Sequence, residues 1–358
     1  MLLSCWLLLN QVILLSMNEV IEMDSTGHTT KTLPGIQTTQ EKTVIFLHLM
    51  KTGGRTLVNI LKQNYAKNIR FHCGQRSGET LDDLQRLSDE KRRSLRLMYG
   101  HMQFGLHDYL SQPCTYITLL RHPIERVISH YYYAVHNPRH YTHKLVTENN
   151  MSLSNYVEHG IMDLNNGQTR AIAGDISLQF GFGNQDEALL NAAHTHLETY
   201  FSMVGVTERF DESLLLLRHQ LGLTNALYTR SNVNHSRPTR KTVSAEDIEC
   251  IKHYNSLDMQ LYADASNRFQ NQVAMAGSLF QIELNLLKQF NAQYTEVQAD
   301  FENAQHKFSR LRKMLKKARH RRNRVNMSLR HHQEEMVALR NSRGGRLWQA
   351  WVNLKQKF

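Results

Sequence analysis

Between Thr43 and Leu61 the chain reads TVIFLHLMKTGGRTLVNIL: an apolar, β-branched run, a break at a lysine and two glycines, then apolar residues at the spacing of an amphipathic helix. That order predicts a strand, a tight loop and a helix. The pattern recurs. RLMYGHMQFGLHDYL predicts a short strand ending at Gly100 and a loop carrying His101, and CTYITLLRHPIERVISHYYYAV predicts a buried strand, a turn at His122-Pro123 and a helix opened by Pro123. Further on, SLSNYVEHG reads as a helix, LNNGQTRAIAGD as a loop, YFSMVGVTERF as a strand and DESLLLLRHQLG as a helix. The alternation predicts an α/β fold, a mostly parallel sheet flanked by helices, with ligands at the carboxyl ends of the strands.

The period changes near the C-terminus. Leu287, Tyr294, Phe301, Phe308 and Leu315 recur at heptad spacing, with Phe290, Val297, Ala304, Leu311 and Ala318 three residues beyond each. This a/d seam predicts a long helix in a coiled coil, most simply a homodimer through residues 287–318, or a helix laid back on the preceding domain. The expected organisation is a hydrophobic segment and disordered lead-in over 1–40, an enzyme-sized domain over 41–275, a helical region over 276–340 and a basic aromatic tail over 341–358.

Charge sharpens that division. The chain carries 43 Lys and Arg against 32 Asp and Glu, a net +11. From His306 onward the acids are Glu334 and Glu335 alone, so the excess belongs to the tail and the rest is slightly acidic. After Gly344-Gly345, RLWQAWVNLKQKF sets Trp348 and Trp351 among cations, a composition suited to an anionic membrane or another polyanion. Cys5, Cys73, Cys114 and Cys250 have neither metal-site nor redox-pair spacing, so reduced thiols and no metal are expected. The opening MLLSCWLLLNQVILLSM is interrupted by Asn10 and Gln11 and has no cation before Lys31, whereas about 20 apolar residues are needed to cross a bilayer. A short anchor, or translation starting at Met17 or Met23, fits this better than a signal peptide.

The loop at Gly53-Gly54 suits a phosphate-like anion: the glycines allow a tight turn and the helix that follows aims the positive end of its dipole at it. Lys51 precedes the glycines, so the nucleotide-triphosphatase signature, with its lysine after them, is absent. A purely structural turn is the rival reading.

FLHLMKTGGRTL resembles the phosphosulfate-binding loop of the carbohydrate sulfotransferases related to the heparan sulfate 2-O and 6-O enzymes, and LLRHPIERVISHYYY resembles that family's second motif, which grips the donor's 3′-phosphate. GHMQFGLH, NNGQTRAIAG, VGVTERFDESLLLL and LDMQLYADASNRF extend the likeness over roughly residues 41–270. The resemblance implies transfer of a sulfonate from 3′-phosphoadenosine-5′-phosphosulfate to a hydroxyl of a carbohydrate or another acceptor. It implies that Lys51, Thr52, Gly53, Gly54, Arg55 and Thr56 cradle the 5′-phosphosulfate, with Lys51 neutralising the bridging oxygen. Arg121 and Ser129 would hold the 3′-phosphate and His101 would take the acceptor's proton, with His107 next in line.

Met50, Arg55 and His122 depart from the family pattern, and Arg55 either adds a cation to the site or points to solvent. His48 is expected beneath the loop, Arg126 in a structural ion pair or hydrogen bond, and Tyr131, Tyr132 and Tyr133 in the core and on a helix face. Gln168 and Arg170 could contact the acceptor or cap a helix; Arg237 and Arg240 could reach the donor or lie in a solvated loop. A catalytically silent relative serving as a tether, and a nucleotide kinase, are the other functional classes. The expected compartment is the cytoplasm, with membrane association as a variant and Golgi-type anchoring as the alternative.

Overall fold

The computed structural model describes residues 42–74, 79–174, 186–229 and 243–355. The N-terminal segment and the loop carrying Arg237 and Arg240 lie outside these residues. The chain divides into two compact units, Met1–Tyr294 and Thr295–Phe358.

The first unit is built on five parallel strands: β1 (Thr43–Leu47), β2 (Arg70–Gly74), β3 (Leu97–His101), β4 (Cys114–Leu120) and β5 (Phe201–Val206), in the order β2-β3-β1-β4-β5. The parallel expectation therefore holds, and β2 is an edge strand that the sequence pattern did not reveal. Between and after the strands run α1 (Gly54–Asn64), α2 (Pro123–His136), α3 (Leu153–Glu158), α4 (Gly167–Ala173), α5 (Glu187–Tyr200), α6 (Phe210–Leu221), α7 (Ala245–Tyr254) and α8 (Ser256–Met275). Every residue of β1 is buried because helices cover both faces of the sheet. Val44 and Phe46 point to one side, where they meet Leu57, Ile60 and Leu61 of α1 and Leu214 and Leu217 of α6. Ile45 and Leu47 point to the other, against Leu189 of α5 and Leu257 and Leu261 of α8. This period of two follows from the pleat. Each such fully buried aliphatic side chain contributes about 1.5–3 kcal/mol.

The segment read as a loop at LNNGQTRAIAGD is instead a short 3₁₀ turn, Met162–Leu164, followed by α4. Most of its polar residues are buried and hydrogen-bonded. Asn166 Oδ1 accepts from the backbone N–H groups of Leu257 and Asp258 at 2.9 and 3.2 Å. Asp258, buried in α8, accepts in turn from the backbone N–H and hydroxyl of Thr169 at 2.8 and 2.7 Å and from the N–H of Gln168 at 3.2 Å. Arg126 of α2 completes the cluster, its Nη2 lying 3.3 Å from Asp258 Oδ2. The expected structural ion pair at Arg126 is thus present, and it joins α2, α4 and α8.

A long helix, α9 (Gly277–Asn341), follows, then α10 (Arg343–Lys355). Within the first unit, Phe280, Leu284 and Leu287 of α9 are buried in the sheet's helical layer. Leu287 therefore cannot face a partner helix, as the heptad reading had it; its burial makes it part of this core. Within the second unit the seam residues Phe301, Phe308, Leu311 and Leu315 are exposed.

Removing one member of a buried ion pair strands the other without compensation. Arg126→Leu is expected to lower unfolding free energy by about 3–5 kcal/mol in urea titrations, whereas a loss below about 1 kcal/mol, the size found for surface pairs, would show the cluster to be dispensable.

Candidate active site: three strand ends and a glycine loop

β3, β1 and β4 are neighbours in parallel register, Leu47 lying opposite both Gly100 and Thr118. Their carboxyl ends therefore open on the same edge. β1 runs into the loop His48–Gly53, β3 ends at His101, and β4 passes into Arg121 and His122 before Pro123 starts α2.

The loop is held tightly. Lys51 adopts a left-handed backbone, φ 66°, unusual for a residue with a Cβ and costing about 1–3 kcal/mol unless its surroundings impose it. Four contacts hold it there. Arg121 Nη1 donates to the Lys51 carbonyl at 3.0 Å, the Thr52 hydroxyl donates to the Leu49 carbonyl at 2.9 Å, and the Thr207 hydroxyl lies 2.7 Å from the Thr52 carbonyl and 2.9 Å from that of Leu120. Gly53 caps α1 with φ 77°, a conformation glycine takes without strain. Gly54 is there for a different reason than anion approach: a Cβ on it would fall 2.1 Å from the His48 ring. The second glycine makes room for a histidine.

That histidine organises the next residue. His48 stacks on His101 with ring centroids 4.2 Å apart, and His101 Nδ1 lies 2.8 Å from the His48 carbonyl. A carbonyl only accepts, so Nδ1 carries the hydrogen and Nε2 is left as the basic nitrogen. Burial drives the pKa of His48 down to about 3, reinforced by repulsion from His101, Arg55 and His72. His101 has an exposed outer edge, but the packing around its inner face lowers its pKa by desolvation; the His48 carbonyl and the carboxylate of Asp163 pull it partly back up. Asp163 accepts a hydrogen bond from Tyr141 at 3.0 Å. His107 is placed elsewhere: its Nδ1 is 3.0 Å from the hydroxyl of Tyr116, in a cluster with Phe104 and Tyr200.

Cations gather over the loop. Lys51 Nζ sits 3.8 Å above the ring of Tyr133 in α2. Tyr133 lies one turn beyond Ser129 and two beyond Glu125, which is itself 3.7 Å from Arg121 Nη2, so one stripe of α2 runs from the arginine to the lysine with Ser129 midway. Arg55 is exposed, yet its charge acts on both His48 and His101, which places it at the rim of the site. The backbone N–H of Thr56 donates to the Gly53 carbonyl at 3.1 Å and closes the first turn.

Gln168 grips the Arg121 backbone from both sides, its Oε1 accepting from the N–H at 2.9 Å and its Nε2 donating to the carbonyl at 3.0 Å. Arg170 Nε donates to the Asn165 carbonyl at 3.0 Å. Both residues are buried; Gln168 braces Arg121, and Arg170 holds Asn165 just before α4. Glu208 accepts from the His122 backbone N–H and from the Tyr262 hydroxyl, each at 3.0 Å, a support that nothing in its sequence context signals.

A glycine loop, an arginine and a histidine carried to one edge by adjacent parallel strands define the class: an α/β protein with an anion-binding loop. The chain belongs to the galactose-3-O-sulfotransferase family, whose family model matches residues 1–314. It is 26% identical over 256 residues to galactose-3-O-sulfotransferase 3 of Bos taurus, covering 66% of this chain and 58% of the relative. It is 24% identical over 250 residues to galactose-3-O-sulfotransferase 2 of Mus musculus, covering 64% of this chain and 62% of that protein. The chain thus spans about three fifths of the length of these curated relatives. A mouse sulfotransferase crystallised with PAP, SULT7A1, matches at 14% identity and a TM-score of 0.31, over 62% of this chain and 66% of that one. The resemblance to carbohydrate sulfotransferases stands, while the link to the heparan sulfate 2-O and 6-O enzymes in particular is not what the family match supports.

The cytoplasmic placement read from the N-terminus is corrected by the same finding: the curated galactose-3-O-sulfotransferases are Golgi membrane enzymes. Among the described residues no helix is long and apolar enough to cross a membrane.

His48 refuses, down to about pH 3, a proton that the unfolded chain takes up near 6.5. Stability should therefore fall as pH drops through that interval, because the unfolded state binds more protons. Melting temperatures measured from pH 7 to pH 4 should fall less steeply for His48→Asn than for the wild type; parallel slopes would mean that His48 does not set this acid sensitivity.

Proposed function

We propose that the chain transfers a sulfonate from 3′-phosphoadenosine-5′-phosphosulfate to a galactose hydroxyl of a glycan. The observation that carries this reading is the meeting of Lys51, Arg121 and the basic Nε2 of His101 at one edge of the sheet. The family adds galactose and its 3-hydroxyl as the acceptor.

In this reading the first turn of α1 and Arg55 receive the 5′-phosphosulfate, whose negative charge suits a helix N-terminus. Arg121 and Ser129 take the 3′-phosphate, the guanidinium by charge-assisted hydrogen bonds. His101 Nε2 accepts the proton as the acceptor oxygen bonds to sulfur. On the opposite side of the sulfur the bond to the bridging oxygen breaks, and its electron pair remains with 3′-phosphoadenosine 5′-phosphate. Lys51 neutralises that developing charge, moving off the Tyr133 ring to reach it. The lowered pKa of His101 keeps the imidazole neutral and ready at pH 7.

Incubation with labelled donor and galactose-terminated glycans tests the assignment, and transfer to no such acceptor would favour the silent tether. Lys51→Ala should reduce turnover by about 10²–10³-fold while donor still binds; normal turnover would remove the lysine from the chemistry. The wild-type rate should rise with pH and level off through a midpoint below the ordinary histidine value of 6.5, because protonation silences the base. His101→Ala should lose that acidic limb along with most of its turnover. If the limb persists, the base is another group.

A further inference from the structure

The last helix carries a surface that the transfer reaction does not use. In α10, Leu347, Trp351 and Leu354 fall at i, i+4 and i+7 and share one stripe, with Trp348 beside it and Gln349 and Asn353 on the opposite side. The four large side chains are 72%, 55%, 62% and 64% exposed in that order. Lys355 Nζ lies 4.5 Å over the Trp351 ring, which puts a charge at the margin of the apolar stripe. Arg340, Arg343, Arg346 and Lys357 lie around it in the sequence, and no acid follows Glu335.

We propose that α10 lies flat on an anionic lipid surface, with the two indoles and two leucines at the level of the acyl boundary and the cations among the headgroups. Opposing demands select this occupant. A second copy of α10 would cover the apolar stripe but bring like charges together at its margins. A soluble polyanion would satisfy the cations and leave four large apolar groups in water. An anionic bilayer meets both needs at one depth, where tryptophan is the favoured residue. The contact is independent of the chemistry at Lys51 and would hold for a silent relative too.

The test uses the full chain with phosphatidylcholine vesicles and with vesicles containing phosphatidylserine, comparing the wild type with Trp348→Ala/Trp351→Ala and with Arg343→Gln/Arg346→Gln/Lys355→Gln. All substituted side chains are exposed, so circular dichroism should be unchanged. The N-terminal hydrophobic segment is common to all three proteins, and differences between them report α10. The wild type should sediment with the phosphatidylserine vesicles and shift its tryptophan emission to the blue. The tryptophan variant should lose about tenfold or more in partitioning, and the charge variant should lose the preference for anionic lipid. Equal partitioning of wild type and tryptophan variant would overturn the proposal, as would no preference for phosphatidylserine in the wild type. Binding to heparin that survives in the tryptophan variant, without vesicle binding by the wild type, would assign the surface to a soluble polyanion and also overturn it.

Discussion

The hydrogen bond from Arg121 to the carbonyl of Lys51 joins two motifs that are distant in sequence. It forms because β1 and β4 are adjacent and parallel, which brings the chain leaving each strand to the same edge. It also helps hold Lys51 in a backbone conformation that this residue would not choose alone. Gln168 fixes the Arg121 backbone, Asp258 fixes α4, and Arg126 ties both to α2, so the arginine that holds the loop is itself held through several layers. A loop supported this way is pre-organised: it need not pay ordering entropy when an anion arrives.

A second chain of support reaches His101. Gly54 admits the His48 ring, His48 stacks beneath His101, and the His48 carbonyl fixes which nitrogen of His101 is basic. Burial keeps His48 uncharged, so the catalytic candidate rests on a neutral neighbour whose charge does not change at working pH. The same glycine pair therefore serves two ends, Gly53 for the turn and Gly54 for the stacked histidines.

β1, β4 and the loop were legible because they depend on local pattern, whereas the edge strand β2 was not: β1 and β4 are buried and largely apolar, and Lys51, Gly53 and Pro123 mark where strand gives way to helix. His101 and Arg121 could be placed at strand ends for the same reason. What escaped the sequence depends on partners far along the chain. Gln168, Thr169 and Arg170 look like loop residues because they are polar; they form a buried helix because Asp258, Arg121 and Asn165 satisfy them. Leu287 fits a heptad as well as a helix laid back on its own domain, and the fold decides for the second. Tyr133 gave no hint of holding a lysine, since a cation above a ring leaves no mark on spacing. The compartment was misread from the character of the N-terminal residues, and family membership, not any local pattern, corrected it.

The central claim is that Arg121 links the loop to a site for a second phosphate. Calorimetric titration of 3′-phosphoadenosine 5′-phosphate and of adenosine 5′-phosphate into the wild type and Arg121→Ala tests it most directly. The wild type should bind the 3′-phosphorylated nucleotide more tightly, and the variant should lose most of that preference beyond any weakening common to both ligands. Equal losses for the two nucleotides, with the preference intact, would contradict the account and leave Arg121 as a brace for the loop alone.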